Sequence, residues 1–187
     1  SGVGDDEMYY TELAGVVFYS NGRVTGTVVN GNDAPWGLPL PVAPSAVAVA
    51  FGGLVAGDYM VAYTYIDASG RESGATQAVV VTAAEGGGIQ LNAPTAGTGY
   101  VTRVYVSPPN GDVLYWVQDI PAGAAVSYVG AHQPGKQLMT QHMRAPEPCI
   151  HLETYNGRVY SASGNALLAT QALNYDLTRP ATDFVLF

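Results

Sequence analysis

Apolar and polar positions alternate with a period of two along most of this chain, the pattern of a pleated strand that buries one face. In "DYMVAYTYID" the alternation sets Tyr59, Val61, Tyr63 and Tyr65 on one face and Met60, Ala62, Thr64 and Ile66 on the other. In "TRVYVS", Val104 and Val106 oppose Arg103 and Tyr105. Between residues 46 and 131 such runs are short and evenly spaced: "AVAVAF", "DYMVAYTYID", "TQAVVVTA", "GIQLNA", "VTRVYVSP", "VLYWVQDI" and "AVSYVG". Glycine, proline, serine and asparagine clusters separate them, so the pattern predicts seven strands packed as a β-sandwich.

The flanks have a different texture. Met8 to Val29 reads as strand, turn, strand, with Asn21 and Gly22 at the turn. Asn-Gly between two β-rich runs is a strong hairpin signal, because a type I′ turn needs positive φ at both central residues. The same dipeptide returns at Asn110-Gly111 and at Asn156-Gly157, and "NGRV" occurs once near each end of the chain. "NGNDAPWGLPLPVAPS", with four prolines, predicts an extended connector with little regular structure. "QPGKQLMTQHMRAPEP" admits one short helical turn around Lys136 to His142. "CIHLETY", "RVYSAS" and "ALLATQAL" form a three-strand meander turning at Asn156-Gly157 and Gly164-Asn165, and "NYDLTRPATDF" reads as a polar loop.

The expected organisation is a hairpin segment and connector at 1–45, a sandwich at 46–131, a linker at 132–149 and a meander at 150–187. The fold class is all-β with minimal helix, a sandwich inserted between hairpin segments that form one outer, blade-like module. The "SGVGDDE" start, without an initiator Met, and the apolar "DFVLF" end suggest a piece of a longer polypeptide, or a strand at Phe184 to Phe187 that pairs with one supplied from elsewhere.

Composition sharpens this reading. Of the 187 residues 48% are apolar and 12% charged, which is globular and far from the disordered class. Thirteen tyrosines and 23 glycines suit strands joined by tight turns. A net charge of −8, with seven scattered Lys and Arg, argues against nucleic acid as a partner. No apolar run reaches the roughly 20 residues of a membrane helix. The one cysteine, Cys149, cannot form an intrachain disulfide.

Candidate chemistry is sparse. His132, His142, Cys149 and His151 are zinc-type residues, but they lack ligand spacing, so no metal is expected. Asp67 and Glu72 in "DASGRE" faintly suggest calcium, yet the loop lacks the run of oxygen ligands such a site needs. "GTGY" and "EGGG" lie between strands and lack the strand-to-helix context of a phosphate loop. No nucleophile elbow is present, so no catalytic residue and no cofactor is expected. Trp116 within "LYWV" reads as a core residue. Trp36, in the proline-rich connector, is the candidate face for stacking on a sugar.

"GDYMVAYTYIDASGRESGATQAVVVT" followed by "TRVYVSPPNGDVLYWVQDIPAG" resembles the fibronectin type III or Ig-like module of tail proteins from tailed bacteriophages. "VVFYSNGRVTGTV" with "PWGLPLP", and "HLETYNGRVYSASGNALLATQALNYDLTRPATDFVLF", are similar to the hairpin segments that surround that module. The resemblance implies a virion structural component of the tail tip, baseplate or fibre. It would be non-enzymatic, homo-oligomeric and docked on other tail proteins, with a host glycan or receptor as a further partner. The His- and Cys-bearing stretch at 132–151 has no counterpart in that pattern. The alternatives are a carbohydrate-binding accessory module that uses Trp36, and a small hydrolase that uses Cys149 with His142 or His151.

Overall fold

The computed structural model describes residues 7–95, 99–130 and 135–186. Among them every regular element is a β-strand and every strand pairing is antiparallel. The chain divides into two compact units: Leu40–Gln141, and the two flanks Ser1–Pro39 and His142–Phe187 together. The first unit therefore extends past the expected sandwich at both ends. It takes in residues 40–45 of the expected connector and the expected linker up to Gln141, and the rest of each stretch goes to the flanks.

The Leu40–Gln141 unit is a sandwich of two sheets. With the strands numbered in chain order, it holds β5 (Ser45–Leu54), β6 (Gly57–Asp67), β7 (Val79–Ala83), β8 (Gly87–Asn92), β9 (Tyr100–Val106), β10 (Tyr115–Pro121) and β11 (Ala125–Tyr128). One sheet has the order β10-β9-β6-β7 and the other β11-β8-β5. Tyr59, Val61 and Tyr63 of β6 and Val104 and Val106 of β9 meet Ile89 and Leu91 of β8 and Leu54 of β5 in the core between them. Burying each such side chain contributes roughly 1.5–3 kcal/mol. The two core tyrosines keep their hydroxyls satisfied on backbone carbonyls, Tyr59 on Val55 at 2.8 Å and Tyr63 on Ser45 at 3.4 Å.

β6 is buried on its other face as well, where Ala62 packs with Ala75, Tyr105, Leu114 and Leu138. Two irregular segments supply this outer layer. Beyond the stretch paired with β7, the hydroxyls of Ser73 and Thr76 accept the β6 amides of Tyr65 and Tyr63 at 2.8 and 3.0 Å. The amides of Ser73 and Thr76 return to the Tyr65 and Tyr63 carbonyls, both at 2.9 Å. The second segment, around Lys136, is not helical. Gly135 donates to the Trp116 carbonyl, Trp116 to Lys136, and Leu138 to Leu114, so the segment runs as a ribbon beside β10. Ladder bonds with Leu114 and Trp116 outcompete the local turn that the residue types allow.

The flanking unit holds β1 (Tyr9–Leu13), β2 (Val16–Ser20), β3 (Thr25–Val29) and β4 (Asn32–Ala34) from the first flank. From the second come β12 (His151–Tyr155), β13 (Arg158–Ser163), β14 (Ala166–Gln171), β15 (Asn174–Thr178) and β16 (Phe184–Leu186). The sheets are β1-β2-β3-β4, and β12-β13-β14-β15 with β16 also paired to β14. Phe18, Trp36, Cys149, Leu152 and Val159 form a core drawn from both flanks. Thr11 and Thr154 share a side-chain hydrogen bond of 2.8 Å, and the Cys149 amide donates to the Ser20 hydroxyl at 2.8 Å.

Three expectations change here. Asn30-Gly31 in the expected connector is itself a hairpin turn, with φ of 51° and 78°, and starts β4. "NYDLT" is strand β15, paired with β14 through Thr170 and Gln171. Phe184 to Leu186 pair with Leu168 to Ala166 of the same chain, which takes one of the two edges of this strand. Asp5, Asp6, Gly97, Thr98, His132 and Phe187 lie outside the described residues.

Candidate functional site

The Asn-Gly pairs at 21, 110 and 156 take three different roles. Asn156 and Gly157 both have positive φ, 47° and 69°, and Tyr155 faces Arg158 across the two-residue turn the dipeptide predicts. Asn21-Gly22 does not form that turn, because Ser20 faces Thr25 and leaves a four-residue connection. There the Asn21 side-chain oxygen accepts the amides of Arg23 and Val24, while the Ser20 hydroxyl is engaged by Cys149 and by the Val24 carbonyl. Asn110, with φ of 57°, pins the β9–β10 loop back onto β6. It donates to the Asp58 carbonyl and accepts the Asp58 amide, at 2.7 and 3.1 Å.

Trp36 cannot serve as the stacking face. It is 2% exposed, its ring lies 5.1 Å from that of Phe18, and its indole N–H is bonded to the Tyr175 carbonyl. Cys149 is buried beside it, and burial raises its thiol pKa despite opposing hydrogen bonds with Ser20 and the His151 backbone. His151 is exposed and meets the edge of the Tyr9 ring, 4.8 Å away. Among the described residues no three His, Cys, Asp or Glu side chains come together as a metal site. The "DASGRE" loop is held by Asp67 itself, which accepts the Ser69 amide and hydroxyl and the Arg71 amide, and pairs with the Arg71 guanidinium at 2.8 Å.

Trp116, read as core, is 38% exposed and stands at the side of a cleft of about 350 Å³ on the sandwich's outer layer. Arg103, Tyr105, Glu72, Lys136, Gln137 and Met139 also line it. A β-bulge in β10 builds this site. Trp116 faces Tyr105 and Gln118 faces Val104, so Val117 is the extra residue. In a regular strand Trp116 and Asp119 would point to opposite faces; the bulge brings both to one face, as such kinks do. The indole N–H then donates to Asp119 at 2.9 Å.

Arg103, directly opposite Asp119, closes a two-pronged ion pair with it at 2.9 and 3.0 Å, and its guanidinium carbon sits 5.2 Å from the Trp116 ring centre. Glu72 caps the other side. One of its oxygens accepts the hydroxyls of Tyr105 and Thr64 at 2.6 and 2.7 Å, and the other lies 3.8 Å from Arg103. Burial and the Glu72 hydrogen bond raise the Tyr105 phenol well above its ordinary range, so it stays protonated as a donor. Burial raises the Asp119 carboxyl, but the hydrogen bonds and charge of Arg103 outweigh it and keep the group ionised. The arrangement is a set of fixed donors and acceptors around a partly open indole. Both of its carboxylates, Glu72 and Asp119, are engaged by donors.

The chain matches no protein family model and no curated protein.

Proposed function

We propose that this chain is a non-enzymatic structural component of a bacteriophage virion tail, at the tail tip, baseplate or fibre. On this reading it builds a homo-oligomeric assembly with other tail proteins through β-rich interfaces. Strand β5 carries the reading. Its sequence, "SAVAVAFGGL", contains no charge and no proline, and it is the terminal strand of the β11-β8-β5 sheet. Val47 and Phe51 are 52% and 61% exposed. Among the described residues no strand pairs with its second edge. Exposed edge strands are normally blunted by charge, proline or cover, because their free amides and carbonyls recruit another strand. An uncharged apolar edge on a chain of net charge −8 suits a surface buried in an assembly, where interface cores are depleted of charge. The resemblance to phage tail modules points the same way.

Sedimentation across a wide concentration range tests the assembly. The chain should form discrete oligomers, and Val47→Lys with Phe51→Lys should dissociate them without loss of strand content. A monomer at millimolar concentration would remove the reading.

A further inference from the structure

We propose that the Trp116 cleft is a glycan-binding site that takes a neutral hexopyranose residue. Four observations carry this. The cleft, about 350 Å³, is at the lower end of the volumes that hold small ligands. Glu72, Arg103 and Lys136 line it, and Asp119, paired with Arg103 beside the cleft, brings the formal charge of the group to zero, so it has no net preference for an ion. Both donors and acceptors line it. Lys136 has no ion-pair partner among the described residues, and the Glu72 oxygen facing Arg103 at 3.8 Å keeps capacity to accept. Vicinal hydroxyls, which donate and accept on adjacent atoms, match that mixed lining; a carboxylate or an ammonium satisfies only half of it. Finally, exposed apolar surface lies beside the polar groups, on Trp116 at 38% and Met139 at 71% exposure, which suits the C–H face of a sugar ring.

The site is set before any ligand arrives. Asp119 fixes the indole N–H, Arg103 fixes Asp119, and a side chain at Gly135 would lie 2.9 Å from the indole carbon Cε3, so the 135–137 ribbon can approach only as glycine. Preorganisation of this kind lowers the ordering cost of binding. The site stands apart from the assembly reading: a monomer could bind sugar, and an oligomer could fail to.

The test uses the two tryptophans. In a ¹H–¹⁵N spectrum of the whole chain, methyl glucoside, galactoside and mannoside, and their short oligomers, are titrated against the two indole N–H signals. The Trp116 signal should move saturably for at least one neutral sugar while the buried Trp36 signal stays in place. Lys136→Ala should weaken binding several-fold, and Glu72→Gln and Trp116→Ala by tenfold or more, the last followed through the backbone amides of Gly135 and Gln137, with the unmoved backbone amides of Ile89 and Leu91 in the sandwich core reporting that each variant is folded. The proposal is overturned if neither signal moves at tens of millimolar sugar. It is equally overturned if only glucuronate moves the Trp116 signal, or if the variants bind as the parent does.

Discussion

The indole N–H of Trp36 donates to the backbone carbonyl of Tyr175 at 2.8 Å, joining residues 139 positions apart. The proline-rich segment around Trp36 is thereby part of a core, not a spacer. Trp36→Ala should destabilise the flanking unit by about 3–5 kcal/mol, the usual cost of emptying a large aromatic site. Trp36→Phe should cost less, since it keeps most of the packing and loses chiefly the hydrogen bond. Hydrogen exchange of β2 and β13 amides under mild denaturant measures both.

Gly37 and Gly15 both have positive φ, 80° and 77°, but their surroundings differ. A Cβ at Gly15 meets nothing within 4 Å, whereas one at Gly37 would lie 2.4 Å from the Asp176 carbonyl oxygen. Gly15→Ala should cost about 1–2 kcal/mol, the conformational penalty alone. Gly37→Ala should cost more than about 3 kcal/mol, because backbone must move. Urea unfolding of the two variants side by side gives the comparison.

Asp67 provides a pH-dependent contribution to stability. Burial pushes its carboxyl up, but hydrogen bonds from Ser69 and Arg71 and the Arg71 charge outweigh that and carry it down to about 2. A carboxyl depressed in the folded state stabilises above its unfolded pKa, near 3.9, and loses that contribution as pH falls toward the folded value. Asp67→Asn should therefore cost about 1–2 kcal/mol at pH 7. The gap to the parent should shrink from pH 5 downward and be nearly closed at pH 2, as followed by thermal unfolding at each pH.

Cys149 should be inert in the folded protein. It is 2% exposed and its thiol pKa is raised, so both access and thiolate are scarce. Iodoacetamide at pH 7.5 should leave the native chain unmodified over hours and label it fully in guanidinium, read by intact mass. Rapid native labelling would show that the flanking core opens readily.

The elements legible from sequence were those set by local rules. β6 was readable from the alternation at Tyr59 to Ile66, and Asn156-Gly157 makes the turn its residues favour. β15 was not readable, because "NYDLT" is polar and short; only pairing along β14 makes it a strand. The cleft escaped for a similar reason. Trp116 sits in an apolar run that resembles core, and the bulge at Val117 that turns it beside Asp119 has no glycine or proline to announce it. Glu72 stood out only as a weak calcium candidate, although its partners Thr64, Tyr105 and Arg103 had all been placed on strands.

By itself the sequence determined an all-β chain, the seven sandwich strands and the positions of most turns, since side-chain alternation and positive φ act over a few residues. Tertiary structure decided which tryptophan is buried and which is open, and whether an Asn-Gly pair turns in two residues or four. Those outcomes depend on partners far along the chain: Tyr175 for Trp36, Cys149 for the loop at Asn21, and Arg103 for the face that Trp116 shares with Asp119. Pleat and turn chemistry are local, whereas burial is a property of whatever packs against a residue.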